Sequence, residues 1–173
     1  MNKHDQSPLD ALGEIYEKIF ERASSAFHTA ETKTAEVLHE LIDEAKEKSI
    51  ELREVSREDA DKLSAYLKRD LEDAVDFMSE TGTDLKEWLG FETHLVEESL
   101  LDMFLKVADK TTLELLNLKS SVQKPLDYRT GEVTGPGSLV CTECGEALHF
   151  LKAGKIPPCP KCHATTYRRR SVG

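Results

Sequence analysis

At 173 residues, with 32% charged side chains and a formal net charge of −10, the chain is long enough for one or two compact domains and acidic enough to be repelled by other polyanions. No apolar run approaches the ~18 residues needed to span a bilayer. The start Met1-Asn2-Lys3-His4-Asp5-Gln6-Ser7-Pro8 has no apolar stretch behind a basic one, so no secretory signal is visible and the cytoplasm is the expected compartment.

Ser7-Pro8 reads as a helix opening, a hydroxyl to cap free N–H groups followed by a proline at the first helical position. Leu9, Leu12, Tyr16, Ile19, Ala23, Phe27 and Ala30, then Val37, Leu38, Leu41, Ala45, Leu52 and Val55, recur at steps of mostly three and four, the spacing of an amphipathic helix. Residues 8–56 are read as one helix or two. The stretch from Ala23 to Ala35 is thin in large apolar groups, which predicts weak packing or a kink. Arg57-Glu58-Asp59-Ala60-Asp61 marks a break, because acids favour a helix start. A second stripe follows through Leu63, Tyr66, Leu67, Leu71, Ala74, Val75 and Met78. Thr81-Gly82-Thr83-Asp84 is a turn with Gly82 as helix stop. Leu85, Trp88 and Leu89 begin a new apolar face, and the run from Leu95 to Leu116 predicts the most buried helix. The expected fold is mainly α: a long antiparallel helical hairpin or three-helix bundle over residues 1–119. Ser120 to Pro125, then Gly131, Gly135, Pro136 and Gly137, argue against further helix and place a linker at 120–137.

All four cysteines lie in the last 33 residues, where they cannot tie the bulk of the chain together as disulfides. Their spacing is Cys141-x2-Cys144, fourteen residues, Cys159-x2-Cys162. A two-residue gap lets both sulfurs of a tight turn point at one ion, and two such turns complete a tetrahedron. Gly145 follows the first pair, where the chain needs a positive φ; His163 holds the matching position after the second, where glycine would be easier. Ala147 to Leu151 reads as a strand, Ala153-Gly154-Lys155 as a turn, Thr165 to Arg168 as a returning strand, and Leu139-Val140 offers a third. The expectation for residues 138–170 is a small β zinc ribbon, with Cys141, Cys144, Cys159 and Cys162 holding one structural Zn2+ per chain. Four cysteines close the metal shell, whereas catalytic zinc keeps an open position. Iron in a rubredoxin-like site or a thiol redox pair are the alternatives.

Glu36-x-x-His39 has the spacing of a di-iron carboxylate ligand pair, but the other Glu-x-x-His, Glu146/His149, lies in the ribbon, so a solvated helix face is the reading. His4, His28 and His94 receive no role. From Pro136 onward six Lys/Arg stand against two acids, +4, which leaves −14 for residues 1–135. The basic residues are Lys152, Lys155, Lys161, Arg168, Arg169 and Arg170, and Tyr167, Phe150 and His149 are the side chains able to stack on bases. Beside so acidic a body, the basic tail is expected to dock on an acidic protein surface, this chain's own helices included, rather than on phosphates. No nucleotide loop, Ser/His/Asp set or Gly-rich phosphate cradle appears, so a non-enzymatic role is expected. The leading expectation is a protein–protein interaction module, with self-association through the helices as one form of it and no membrane partner. Nucleic-acid or transcription-complex binding through the basic ribbon face is the second.

The run Tyr128-Arg129-Thr130-Gly131-Glu132-Val133-Thr134-Gly135-Pro136-Gly137, then Cys141-x2-Cys144-Gly145, Cys159-Pro160-Lys161-Cys162 and Tyr167-x-Arg169, resembles the YbeL-type bacterial family of acidic helical proteins ending in a zinc ribbon. The resemblance is specific over residues ~128–170 and rests on length, charge and helicity elsewhere. It implies zinc ligation by the four cysteines and implies no activity. His163 departs from the glycine expected there.

Overall fold

The computed structural model describes residues 8–32, 34–81 and 127–169, and in it the apolar stripe of 8–56 is carried by two helices. Helix α1 spans Pro8–Thr29 and α2 spans Ala35–Glu51. The chain leaves the helix inside the stretch that is thin in large apolar groups, where a continued helix would bury little. Thr34 then caps α2, its hydroxyl accepting from the Val37 N–H at 3.2 Å. Arg53, with φ 58°, turns the chain after α2, and Ser56 accepts from the Asp59 N–H at 3.2 Å to open α3, Arg57–Thr81. This second break falls where the acidic run predicts it.

The ion pairs between α2 and α3 give their direction. His39 faces Glu72, Asp43 faces Lys68 and Lys46 faces Asp61, so the numbers fall on α3 as they rise on α2 and the two helices run antiparallel. Helix α1 packs on both, with Arg22 bound in a fork to Glu54 at 2.8 Å through each nitrogen and to Ser49 at 2.7 Å. Tyr16, Ile19, Phe20 and Phe27 of α1 meet Leu38 and Ile42 of α2 and Leu63, Leu67 and Leu71 of α3 in one buried cluster. Each such side chain contributes ~1.5–3 kcal/mol on leaving water. The described helical part is thus three packed helices. The turn at Gly82 and the apolar run 85–116 lie outside the described residues.

The C-terminal part is a four-stranded antiparallel sheet in the order β1-β6-β3-β4, with a separate two-stranded pair, β2-β5. The strands are β1 Tyr128–Arg129, β2 Val133–Thr134, β3 Gly137–Cys141, β4 Ala147–Phe150, β5 Gly154–Lys155 and β6 Thr166–Arg169. The predicted strands are all present, those at 147–151 and 165–168 within a residue and the one at Leu139-Val140 longer than expected, and the predicted turn at 153–155 contributes β5. The described part of the expected linker, 127–137, is not a connector. It supplies β1, β2 and the first residue of β3, and Val133 is a member of the helical core. Ala153 joins that core from the loop before β5. Gly13 of α1 makes room for this: a Cβ there would sit on the Ala153 carbonyl oxygen. The Ala153 N–H donates to Glu17 of the same helix at 3.1 Å. The β2-β5 pair therefore seats directly on α1 and α3.

Candidate metal centre

The two CxxC turns are built alike. In the first, the Cys141 N–H donates to the Glu146 carbonyl and the Gly145 N–H to the Cys141 carbonyl, at 2.8 and 3.0 Å. In the second, the Cys159 N–H donates to the Ala164 carbonyl and the His163 N–H to the Cys159 carbonyl, at 2.8 and 2.9 Å. Both turns close through a left-handed residue after the second cysteine, Gly145 at φ 78° and His163 at φ 64°. The pairing of β3 with β4 and β6 brings the two turns face to face, and Pro160 lies within the second.

The four sulfurs, read from the sequence as one set, form one cluster: all lie within 4.8 Å of one another. Cys141 and Cys162 are 3.6 Å apart and Cys144 and Cys159 are 3.5 Å apart, and all four thiols are free. A zinc–thiolate bond of ~2.3 Å in a tetrahedron puts sulfurs about 3.8 Å apart, so the cluster has the size of a one-ion site. Its electrostatics ask for a cation. The backbone N–H of Cys162, then that of Lys161 against the opposing effect of burial, draws the Cys159 thiol down to about 7. At Cys162 the Ala164 N–H pulls the same way, but burial and the three neighbouring sulfurs outweigh it and push the thiol up to about 12. Four thiolates cannot share this volume without a positive ion, and the donor set is the one zinc takes in structural sites. Tyr167, buried beside the cluster, is raised to about 12 by burial and by the four cysteines, and stays a neutral hydroxyl donating to the Pro157 carbonyl at 2.8 Å.

The left-handed positions give a paired expectation. Nothing lies within 4 Å of a Cβ built at Gly145, so Gly145→Ala should cost only the conformational penalty, ~1–2 kcal/mol. His163→Gly should move the other way by a smaller amount, since glycine adopts that φ freely but loses more chain entropy. Chelator competition on the two variants would read both shifts; equal shifts of one sign would contradict the assignment.

The basic run after Tyr167 does not form one patch. Side chains alternate along a strand, and on β6 Tyr167 and Arg169 are buried while Arg168 is exposed; Arg170 lies outside the described residues. Arg169 donates to the Tyr128 hydroxyl, the Pro136 carbonyl and Thr134 Oγ1, at 3.1, 3.2 and 3.0 Å. It also pairs with Asp73 at 3.2 Å and Asp70 at 3.6 Å, both on α3. Burial alone would lower its pKa, but Tyr128, Asp70 and Asp73 more than offset this, and the guanidinium stays charged. Gly137 faces it, where a Cβ would collide with the guanidinium.

Asp70 is the hub of this junction and is fully buried, 0% exposed. Its Oδ2 accepts from the Tyr16 hydroxyl at 2.6 Å and the Gly135 N–H at 2.9 Å, and its Oδ1 from Arg69 twice at 3.1 Å. Arg69 also binds Glu132 at 2.9 Å and the Val133 carbonyl at 3.1 Å, and lies 4.0 Å over the Tyr128 ring. Tyr16 is raised well above the ordinary phenol range by burial and by Asp70, so it remains a donor. Sequence reading missed this cluster, although a signal exists. Asp70 stands seven residues after Leu63 and three after Leu67, an acid in register with the apolar stripe.

His39 of the Glu-x-x-His pair faces Glu72 at 3.4 Å on the helix surface, and no metal-ligating group forms there among the described residues. His149 Nδ1 lies 2.8 Å from Ser138 Oγ.

Comparison with known proteins agrees with the cluster. A family model described as a zinc-ribbon containing domain matches residues 25–171. The chain is 31% identical over 130 residues, 75% of this chain and 80% of the relative, to the protein titled "Uncharacterized protein YbeL" of Escherichia coli strain K12. Its counterparts in Escherichia coli O6:H1 and O157:H7 match to the same extent. No solved structure matches. With the matched span running from α1 through both cysteine turns, the chain belongs to the zinc-ribbon containing domain family.

Proposed function

We propose that this protein is a non-enzymatic interaction module, in which one structural zinc held by Cys141, Cys144, Cys159 and Cys162 fixes a ribbon that recognises another protein. The observation that carries this is the closed four-thiol cluster in a ribbon whose neighbouring strands are seated on α1 and α3. A four-cysteine shell leaves no position for a substrate. Leu151 is 44% exposed beside Lys152, and Lys161 and Arg168 are also exposed. An exposed apolar side chain next to a lysine suits an acidic protein surface. Two of the side chains that nucleic-acid binding would use, Arg169 and Tyr167, are buried in internal bonds, which weighs against phosphate contact and base stacking. No helix among the described residues is long and apolar enough to cross a membrane.

Affinity capture on the full chain, with and without nuclease and at two salt concentrations, tests this. Protein partners should survive nuclease and be lost with Leu151→Glu or Cys144→Ser. Capture abolished by nuclease, or micromolar DNA binding at ~0.15 M salt, would instead support recognition of nucleic acid by the ribbon.

A further inference from the structure

We propose that the ribbon and the helical body form a metal-linked latch, in which a filled cysteine site holds Arg169 and the Gly135 N–H against Asp70, and an emptied site withdraws them and loosens α1 and α3. The proposal rests on the reading that the cluster binds zinc. The route is short. Cys141 of β3 stands opposite Tyr167 of β6, and Leu139 opposite Arg169 is the next pair facing the same way. Tyr128 of β1 flanks Tyr167 on the other side. The buried cluster behind these strands has six members, Tyr128, Leu139, Cys141, Ile156, Cys159 and Tyr167, and two of them belong to the metal set. So small a core does not hold strands together without its metal. When the strands part, Arg169 leaves with β6.

The consequence falls on the helices. Asp70 is held from two sides: Tyr16 and Arg69 belong to the helical body, Gly135 and Arg169 to the ribbon. Arg69 in turn reaches into the ribbon through Glu132 and the Val133 carbonyl. Opening the four-stranded sheet takes Arg169 from a carboxylate that is fully buried and from Thr134 and the Pro136 carbonyl, which flank Gly135, and so loosens the segment that carries Val133 into the helical core. Coupling of this kind is reciprocal: if the metal favours the seated ribbon, the seated ribbon must favour the metal by the same factor.

The test measures zinc affinity by chelator competition and helical melting by circular dichroism on the full chain. It compares the wild type with Arg169→Ala, Tyr16→Phe and the exposed neighbour control Arg168→Ala. Arg169→Ala should weaken zinc binding at least ~10-fold and Tyr16→Phe ~3-fold, while Arg168→Ala leaves it unchanged. Chelation should lower the helical melting midpoint of the wild type by about 5 °C or more and that of Arg169→Ala by much less. If Arg169→Ala does not accumulate as folded protein, Tyr16→Phe carries the test, because it removes one hydroxyl from α1 and changes no residue of the ribbon. Equal zinc affinity in Tyr16→Phe and wild type, with helical melting indifferent to chelation, overturns the latch alone. A wild type that binds no zinc overturns both the latch and the reading beneath it.

Discussion

Asp70→Ala should destabilise the folded chain by about 3–5 kcal/mol, the cost of removing one partner from a buried ion pair. The size follows from what is left behind. Arg69 loses both of its bonds to Asp70, the Tyr16 hydroxyl and the Gly135 N–H lose their acceptor, and Arg169 loses one of its two acidic neighbours. Asp70→Asn keeps the shape and an acceptor oxygen and should cost less, and a solvent-exposed pair such as Lys62 with Glu58 should matter least. Urea unfolding of the zinc-loaded chain would give the order Asp70→Ala, Asp70→Asn, Glu58→Ala from most to least destabilised. Asp70→Ala within 1 kcal/mol of the wild type would mean that the junction is not packed as described. The network need not make the protein more stable than a well-packed apolar interface would. Its contribution on this view is to fix how the sheet seats on α1 and α3, since the Gly135 N–H and Arg169 meet Asp70 in one register only.

Cys144→Ser should have the largest effect of any single change. Structural zinc supplies an apparent ~10–16 kcal/mol in small sites, and an alcohol is a far poorer ligand than a thiolate. The expected result is loss of the metal and loss of amide protection across β3, β4 and β6, including the Gly145 and His163 N–H groups that close the two turns. On composition alone the helices would be indifferent, with a linker between two separate cores. With Val133 and Ala153 inside the helical core, helical content should persist while its melting midpoint falls. A ribbon that keeps its protected amides in Cys144→Ser would show that the metal is not what holds these strands.

The site was legible in the sequence because its geometry is local. Two residues between cysteines dictate a turn, the residue after the second cysteine must go left-handed, and Gly145 and His163 both do. The strands between the turns could be read from alternation because they are short and bounded by glycine, proline and cysteine. The helix break at Thr34 was legible only as a thinning of the apolar stripe, since no glycine or proline occurs between residues 14 and 81. What the sequence concealed was the seating of one part on the other. Tyr16, Asp70, Gly135 and Arg169 are drawn from three regions of the chain, and no periodicity links them. Arg168 and Arg169 look like one basic cluster until the alternation of β6 sends the first to water and the second to Asp70 and Asp73. The expectation that this tail docks on acid from its own helices applies to Arg169, and the stripe position of Asp70 was the overlooked half of the pair.

Four cysteines that hold one zinc hold the ribbon through it, and native mass spectrometry of the intact chain beside elemental analysis reads that metal and its count. One zinc per colourless chain, absent from Cys144→Ser, is the expected result. Iron with visible thiolate absorption, or zinc retained at one per chain in Cys144→Ser, would contradict it.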